Sequence, residues 1–158
     1  MFKKILFMLI LSVSIQPLFA QENEEDPVAQ VQSLVQQGEN ELNALLAQKR
    51  KGQKLKLEAF VGPLTLLSKA RGRMIDFQLQ EENPELYAKI EALLEIGGNQ
   101  DEVKDRVKVL RKAFVNALHQ KDMQAADKAL SELFQLDGKN DKLNSYAAQV
   151  INQQMPSP

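Results

Sequence analysis

The chain of 158 residues contains no cysteine, no tryptophan, one histidine (His119) and one threonine (Thr65). Without cysteine neither disulfides nor thiolate metal sites can form, so a stable fold must be held by packing alone. A lone histidine lacks the companions that a zinc centre needs. Near the end of a helical stretch, His119 is better read as a partner for terminal carbonyls. β-Branched residues are also scarce: after residue 20, Val, Ile and Thr together number 14, against 33 Leu and Ala. With Gln, Glu and Lys filling much of the remainder, that balance favours helix over strand. Phosphate-cradling glycine loops are missing as well, because Gly97-Gly98 is followed by neither the lysine nor the third glycine that such a loop requires.

Lys3 and Lys4 precede an apolar run from Ile5 to Ile15 that only Ser12 and Ser14 interrupt. Gln16-Pro17-Leu18-Phe19-Ala20 then leads into the acidic stretch Gln21 to Asp26. This is the layout of a secretory signal peptide over residues 1–20, with cleavage expected after Ala20. The apolar run falls short of the roughly 20 residues that cross a bilayer. It also lacks the polar face of a surface anchor. No cysteine follows it to carry a lipid, so the expected product is a soluble protein in a bacterial periplasm or outside the cell. Residues 21–152 are then expected to form one all-helical domain, and residues 153–158 a frayed tail. Removing Lys3 and Lys4 leaves 18 basic and 21 acidic residues, a balance that does not suit a general nucleic-acid binder.

The periodicity predicts an all-α fold of five to six amphipathic helices packed as antiparallel hairpins, with a short solenoid as one form of it. Asp26-Pro27 opens the first helix as cap and first residue, Val31, Val35, Leu42 and Leu45 face inward, and Gly52 supplies a left-handed stop. The second runs from about Lys54 to Glu82 with Phe60, Leu64, Leu67, Ala70, Met74 and Phe77 inward, and Gly62-Pro63 is expected to kink or break it. The third starts at Asn83-Pro84, buries Leu86, Ile90, Leu93 and Leu94, and ends at Gly97-Gly98. Asn99 with Glu102 resembles a capping box for the fourth, whose stripe is Val103, Val107, Leu110, Phe114, Ala117 and Leu118. Asp122 caps a fifth carrying Met123, Ala126, Leu130 and Leu133. A sixth from about Asp141 would carry Leu143, Tyr146, Ala147, Val150 and Ile151.

A shift of about 40 residues superposes many apolar positions, such as Leu67 on Val107, Leu93 on Leu133 and Gly98 on Gly138, as helical repeats would. Any two amphipathic helix pairs of similar length also align in this way. Within residues 110–153, the Lys121-Asp122 turn, Ala126 and Leu136-Asp137 stand in a register that resembles a tetratricopeptide-like helical hairpin. Phe114 takes the place of that repeat's small glycine, and Gly138 that of its proline. The resemblance implies a concave surface that binds peptides or proteins and performs no chemistry.

Candidate chemistry is thin. Asp137 to Asp141 suggests a calcium loop, but Lys139, Lys142 and Ala148 stand where an EF-hand needs an oxygen ligand, glycine and glutamate. None of Ser33, Ser68, Ser131, Ser145 or Ser157 lies in a nucleophile elbow or has lysine three places on. Asp76, Glu81, Glu82 and Glu85 could in principle supply a glycosidase pair, but in a chain with 21 carboxylates they read as a solvated cluster. We therefore expect no enzyme activity, cofactor or metal.

Charge distribution is the one polar feature above background. Residues 21–48 carry six acidic groups and no basic one. Residues 49–73 carry Lys49, Arg50, Lys51, Lys54, Lys56, Lys69, Arg71 and Arg73 against Glu58 alone. These eight are the candidate partner-binding residues, with a solvated helix end and hairpin loop as the plainer account. The expected role is that of a non-enzymatic binder of a protein or peptide. One alternative is contact with anionic lipid or wall polymer through the 49–73 block. Another is a periplasmic chaperone or stress protein with an apolar groove.

Overall fold

The computed structural model describes residues 26–138, which form five helices and no strand. These are α1 (Pro27–Arg50), α2 (Leu57–Asp76), α3 (Pro84–Gly98), α4 (Asp101–His119) and α5 (Met123–Leu136). The expected signal peptide, sixth helix from Asp141 and frayed tail lie outside the described residues. At α1, Asp26 Oδ1 accepts from the Val28 N–H (3.1 Å) with Pro27 next in line. At α5, Asp122 Oδ1 accepts from the Ala125 N–H (3.0 Å). Both are caps that the sequence signals.

Three helices end in the same way. Beyond α1, α2 and α4 stand Gly52, Gln78 and Lys121, all with positive φ (83°, 54° and 56°). The next N–H in each case reaches back across the turn: Gln53 to Gln48 O, Leu79 to Met74 O, and Asp122 to Ala117 O. This is the Schellman arrangement, which normally recruits glycine to its left-handed position. Only the first end has one.

Contacts along α1 and α2 run in opposite directions. Gln30 meets Arg73, Gly38 meets Leu67, and Lys49 lies over Phe60. A methyl group at Gly38 would stand 2.9 Å from Leu67 Cγ and 3.2 Å from the Pro63 carbonyl oxygen. At Gly97 of α3 it would meet Leu64 Cδ2 at 2.5 Å and Leu42 Cδ1 at 3.6 Å. The end of α5 rests on the other side of α2, where Ser68 Oγ donates to Gln135 O (3.3 Å). Thus α2 touches each of the other four described helices. Its Phe60, Leu64, Leu67, Ala70 and Met74 are fully buried with Val31, Leu42, Ile90, Val103, Ala126 and Leu133 from the rest.

Three expectations need correction. First, α2 begins at Leu57 and ends at Asp76, so it is shorter at both ends than the apolar pattern implied. Phe77, assigned to the buried stripe, is 53 % exposed because the chain turns at Gln78 before the stripe can continue. Second, α2 runs unbroken through Gly62-Pro63, with Pro63 buried. A residue before proline is normally pushed out of helical geometry by its own Cβ, which Gly62 lacks. Third, Asn99 closes α3 instead of opening α4; Gln100 stands at the start of α4 without a side-chain cap bond, and Glu102 is engaged elsewhere.

The 40-residue superposition of apolar positions does not carry helix ends onto one another. α4 ends 43 residues after α2, yet α5 begins 39 after α3, because seven residues join α2 to α3 and three join α4 to α5. Burial departs accordingly: Leu94 is buried where Phe134 is exposed, and Ile96 is exposed where Leu136 is buried.

Two stability predictions follow from this packing. Gly38→Ala should destabilise the fold by about 1–2 kcal/mol, since overpacking against fully buried Leu67 outweighs the gain in helix propensity. Gly72→Ala should stabilise it by about 0.5–1 kcal/mol, because nothing lies within 4 Å of the added methyl. Denaturant titration of both variants checks the opposite signs. Lys121→Gly should raise stability by about 0.5–1 kcal/mol by relieving the left-handed turn, and the same titration should show a loss for Gly52→Ala.

Candidate binding surfaces

The eight cations singled out in the sequence do not form one surface. Arg71 is 7 % exposed. Its Nε and Nη2 both donate to Glu91 Oε1 (3.3 Å), its Nη1 donates to Gly138 O (3.1 Å), and its guanidinium lies 5.7 Å from the Tyr87 ring centre. It therefore ties α2 to α3 and to the end of α5, and is not available as a partner contact. Lys49 is half-buried, donating to Glu102 Oε2 (2.8 Å) and Gln100 Oε1 (3.1 Å) above the Phe60 ring. It joins the end of α1 to the start of α4. Arg73 Nη1 donates to Gln30 Oε1 (2.7 Å) across the α1–α2 pair, although the residue itself is exposed.

That leaves Arg50, Lys51, Lys54 and Lys56 at the tip between α1 and α2, and Lys69 on α2. All five are exposed, and none forms an ion pair among the described residues. The tip takes its shape from the turn at Gly52. Arg50 and Lys51 sit at the negative end of the α1 dipole, whereas Lys54 and Lys56 lie beyond its reach.

A second cationic feature escaped segment-by-segment charge counting. A groove of about 490 Å³ runs along α4, where Lys104, Lys108, Arg111 and Lys112 line it beside Gly98 and Asp137. A second hollow, about 390 Å³, lies between α2 and the end of α5, with the exposed side chains of Ile75 and Phe134 on its wall. Among the described residues no group of three or more His, Asp or Glu is placed to hold a metal ion, and no helix is long and apolar enough to cross a membrane. Asp76, Glu81, Glu82 and Glu85 are all exposed, as is His119 at the end of α4.

Two carboxylates acquire shifted acidity from the pairs that staple helices together. Glu102 titrates below the ordinary carboxylate range, chiefly because Lys49 donates to it and next because its own backbone N–H does. Glu132 is lowered mainly by Arg106, whose Nε and Nη2 donate to its two oxygens at 2.7 and 2.8 Å. The same contact raises Arg106.

Compared with known family models, curated proteins and solved structures, the chain matches none.

Because both carboxylate pKa values are depressed by folding, the stability they confer is complete above the ordinary range of about pH 4–5. It is lost as pH falls through the lowered values. Melting temperature should therefore drop on acidification below about pH 5. Glu102→Gln/Glu132→Gln should melt lower at pH 7 and show a shallower acid slope than the parent protein. Parallel slopes in thermal melts from pH 7 to pH 3 would remove these pairs from the account.

Proposed function

We propose that this protein is an exported, non-enzymatic helical module that binds a protein or peptide partner through the cationic tip between α1 and α2. The observation that carries this reading is the tip itself. Four exposed cations fall between Arg50 and Lys56 without an ion pair among the described residues, while neighbouring Lys49, and Arg71 farther along α2, are consumed by the fold. Clustered like charge on a loop adds self-repulsion and contributes nothing to the core. An acidic partner would offset that repulsion, and complementary charge accelerates encounter. The likeness of residues 110–153 to a tetratricopeptide-like hairpin supports a peptide or protein as the partner class.

A second reading rests on the same exposed loop: contact with an anionic lipid surface or wall polymer. Each lysine near such a surface contributes about 1 kcal/mol, with strong salt dependence.

A photo-crosslinking residue at Lys54 in the native envelope separates the two. The expected result is a discrete protein adduct that disappears when Arg50, Lys51 and Lys56 become Gln. Absence of an adduct, together with salt-sensitive binding of the purified protein to anionic vesicles, would replace the first reading with the second. N-terminal sequencing of the envelope protein should begin at Gln21, and a start at Met1 counts against export.

A further inference from the structure

We infer that the groove along α4 is a second binding site, separate from the tip, which accepts an extended acidic peptide segment. Lys104, Lys108, Arg111 and Lys112 recur at intervals of four, three and one, which places them in one sector of the helix. They stand on the side opposite the flank from which Glu102 and Arg106 reach Lys49 and Glu132. The three lysines are exposed, and none forms an ion pair among the described residues. The only carboxylate lining the groove, among the described residues, is Asp137, already bound to Arg111 Nη2 at 2.7 Å. Asp101 and Asp105 lie on α4 but do not line it.

Like charges at Lys104/Lys108 and Lys108/Lys112 each destabilise an isolated helix by about 0.2–0.5 kcal/mol. Asp101 and Asp105, three places before Lys104 and Lys108, offset this only in part, because Lys112 has no acidic residue three or four places before it. The core does not need them, since Val103, Leu110, Phe114 and Ala117 supply the inward face. A ligand that neutralises the row would remove that local conflict.

The shape of the site selects among anions. A membrane is flat and meets protruding cations, whereas these line a recess between the ends of α3 and α5. A methyl group at Gly98 would meet nothing within 4 Å, so that wall is low. From Lys104 to Lys112 the helix advances about 12 Å. An extended chain covers that in about four residues, with alternate side chains on one face. Acidic side chains at alternate positions would meet the cations, and apolar ones between them would meet half-buried Val107.

The probe is a fluorescein-labelled peptide of about eight residues alternating glutamate and leucine, with a lysine–leucine counterpart as control. Anisotropy with the full-length mature protein should show saturable binding of the glutamate peptide only. Lys104→Gln/Lys108→Gln/Lys112→Gln should weaken it about tenfold, with Arg111 kept because it holds Asp137. Arg50→Gln/Lys51→Gln/Lys54→Gln/Lys56→Gln should bind it like the parent protein, so failure of the tip reading leaves this result intact. Carbodiimide coupling followed by mass spectrometry should place the peptide on Lys104 or Lys108.

Unchanged affinity in the groove variant, with parental helicity and melting temperature, would overturn the assignment. So would coupling at Lys54, equal binding of the lysine peptide, or dependence on the groove lysines for anionic vesicles alone.

Discussion

The close seating of α1 and α3 on Leu64 and Leu67 is the constraint from which the rest of the fold takes its positions. Both leucines are fully buried on α2, and each faces a glycine on a neighbouring helix, Gly97 for Leu64 and Gly38 for Leu67. Where the facing residue has no side chain, helices approach closely and a leucine fills the resulting hollow. Interiors are packed tightly enough that even one methyl group is felt there. A cysteine-free chain has no covalent means of holding such contacts, so α2 must be gripped from several sides at once. It touches all four other described helices, and its C-terminal half also carries Arg71, whose guanidinium reaches α3 and the end of α5.

Polar contacts reinforce that arrangement at its seams. Lys49–Glu102 joins α1 to α4, Arg71–Glu91 joins α2 to α3, Lys89–Glu39 joins α3 to α1, and Arg106–Glu132 joins α4 to α5. Isolated surface pairs are worth little, and most of these side chains are partly solvated. Arg71 differs because it is buried, and removing Glu91 would take the carboxylate from a largely desolvated guanidinium. The pairs therefore set which helices meet and in what register more than they supply stability.

Much of this was legible in the sequence. Helix content, both aspartate caps, the left-handed Gly52 and most of the buried stripes follow from composition and spacing. What failed did so for physical reasons. The apolar spacing continues to Phe77, but a stripe says nothing about where the backbone leaves the helix, and a left-handed Gln78 carries no glycine signal. Asn99 and Glu102 have capping-box spacing, yet Glu102 is drawn to a lysine 53 positions away, a contact that no local pattern contains. Arg71 looked like one cation among eight because burial depends on what folds over it.

The charge reading shows why counting by segment misleads on helices. Residues 101–112 mix Asp101, Glu102 and Asp105 with Lys104, Arg106, Lys108, Arg111 and Lys112, so that acidic and basic residues alternate along the chain. At about 100° per residue the mixture separates in part, with exposed Asp101 and Asp105 staying on the solvent side near Lys108 and Lys112. Glu102 and Arg106 fall on one flank of the inward stripe, where they find Lys49 and Glu132, while the four groove cations fall on the other. Thus one helix contributes to packing, interhelical pairing and an open cationic recess through different sectors of its circumference. At the tip between α1 and α2 the division is by alternation instead, since Leu55 packs against the core while Lys54 and Lys56 on either side of it are exposed. A surface of either kind can change its charges while the glycine–leucine contacts on α2 stay as they are. That independence lets a small bundle without disulfides keep its fold beside exposed clusters of like charge.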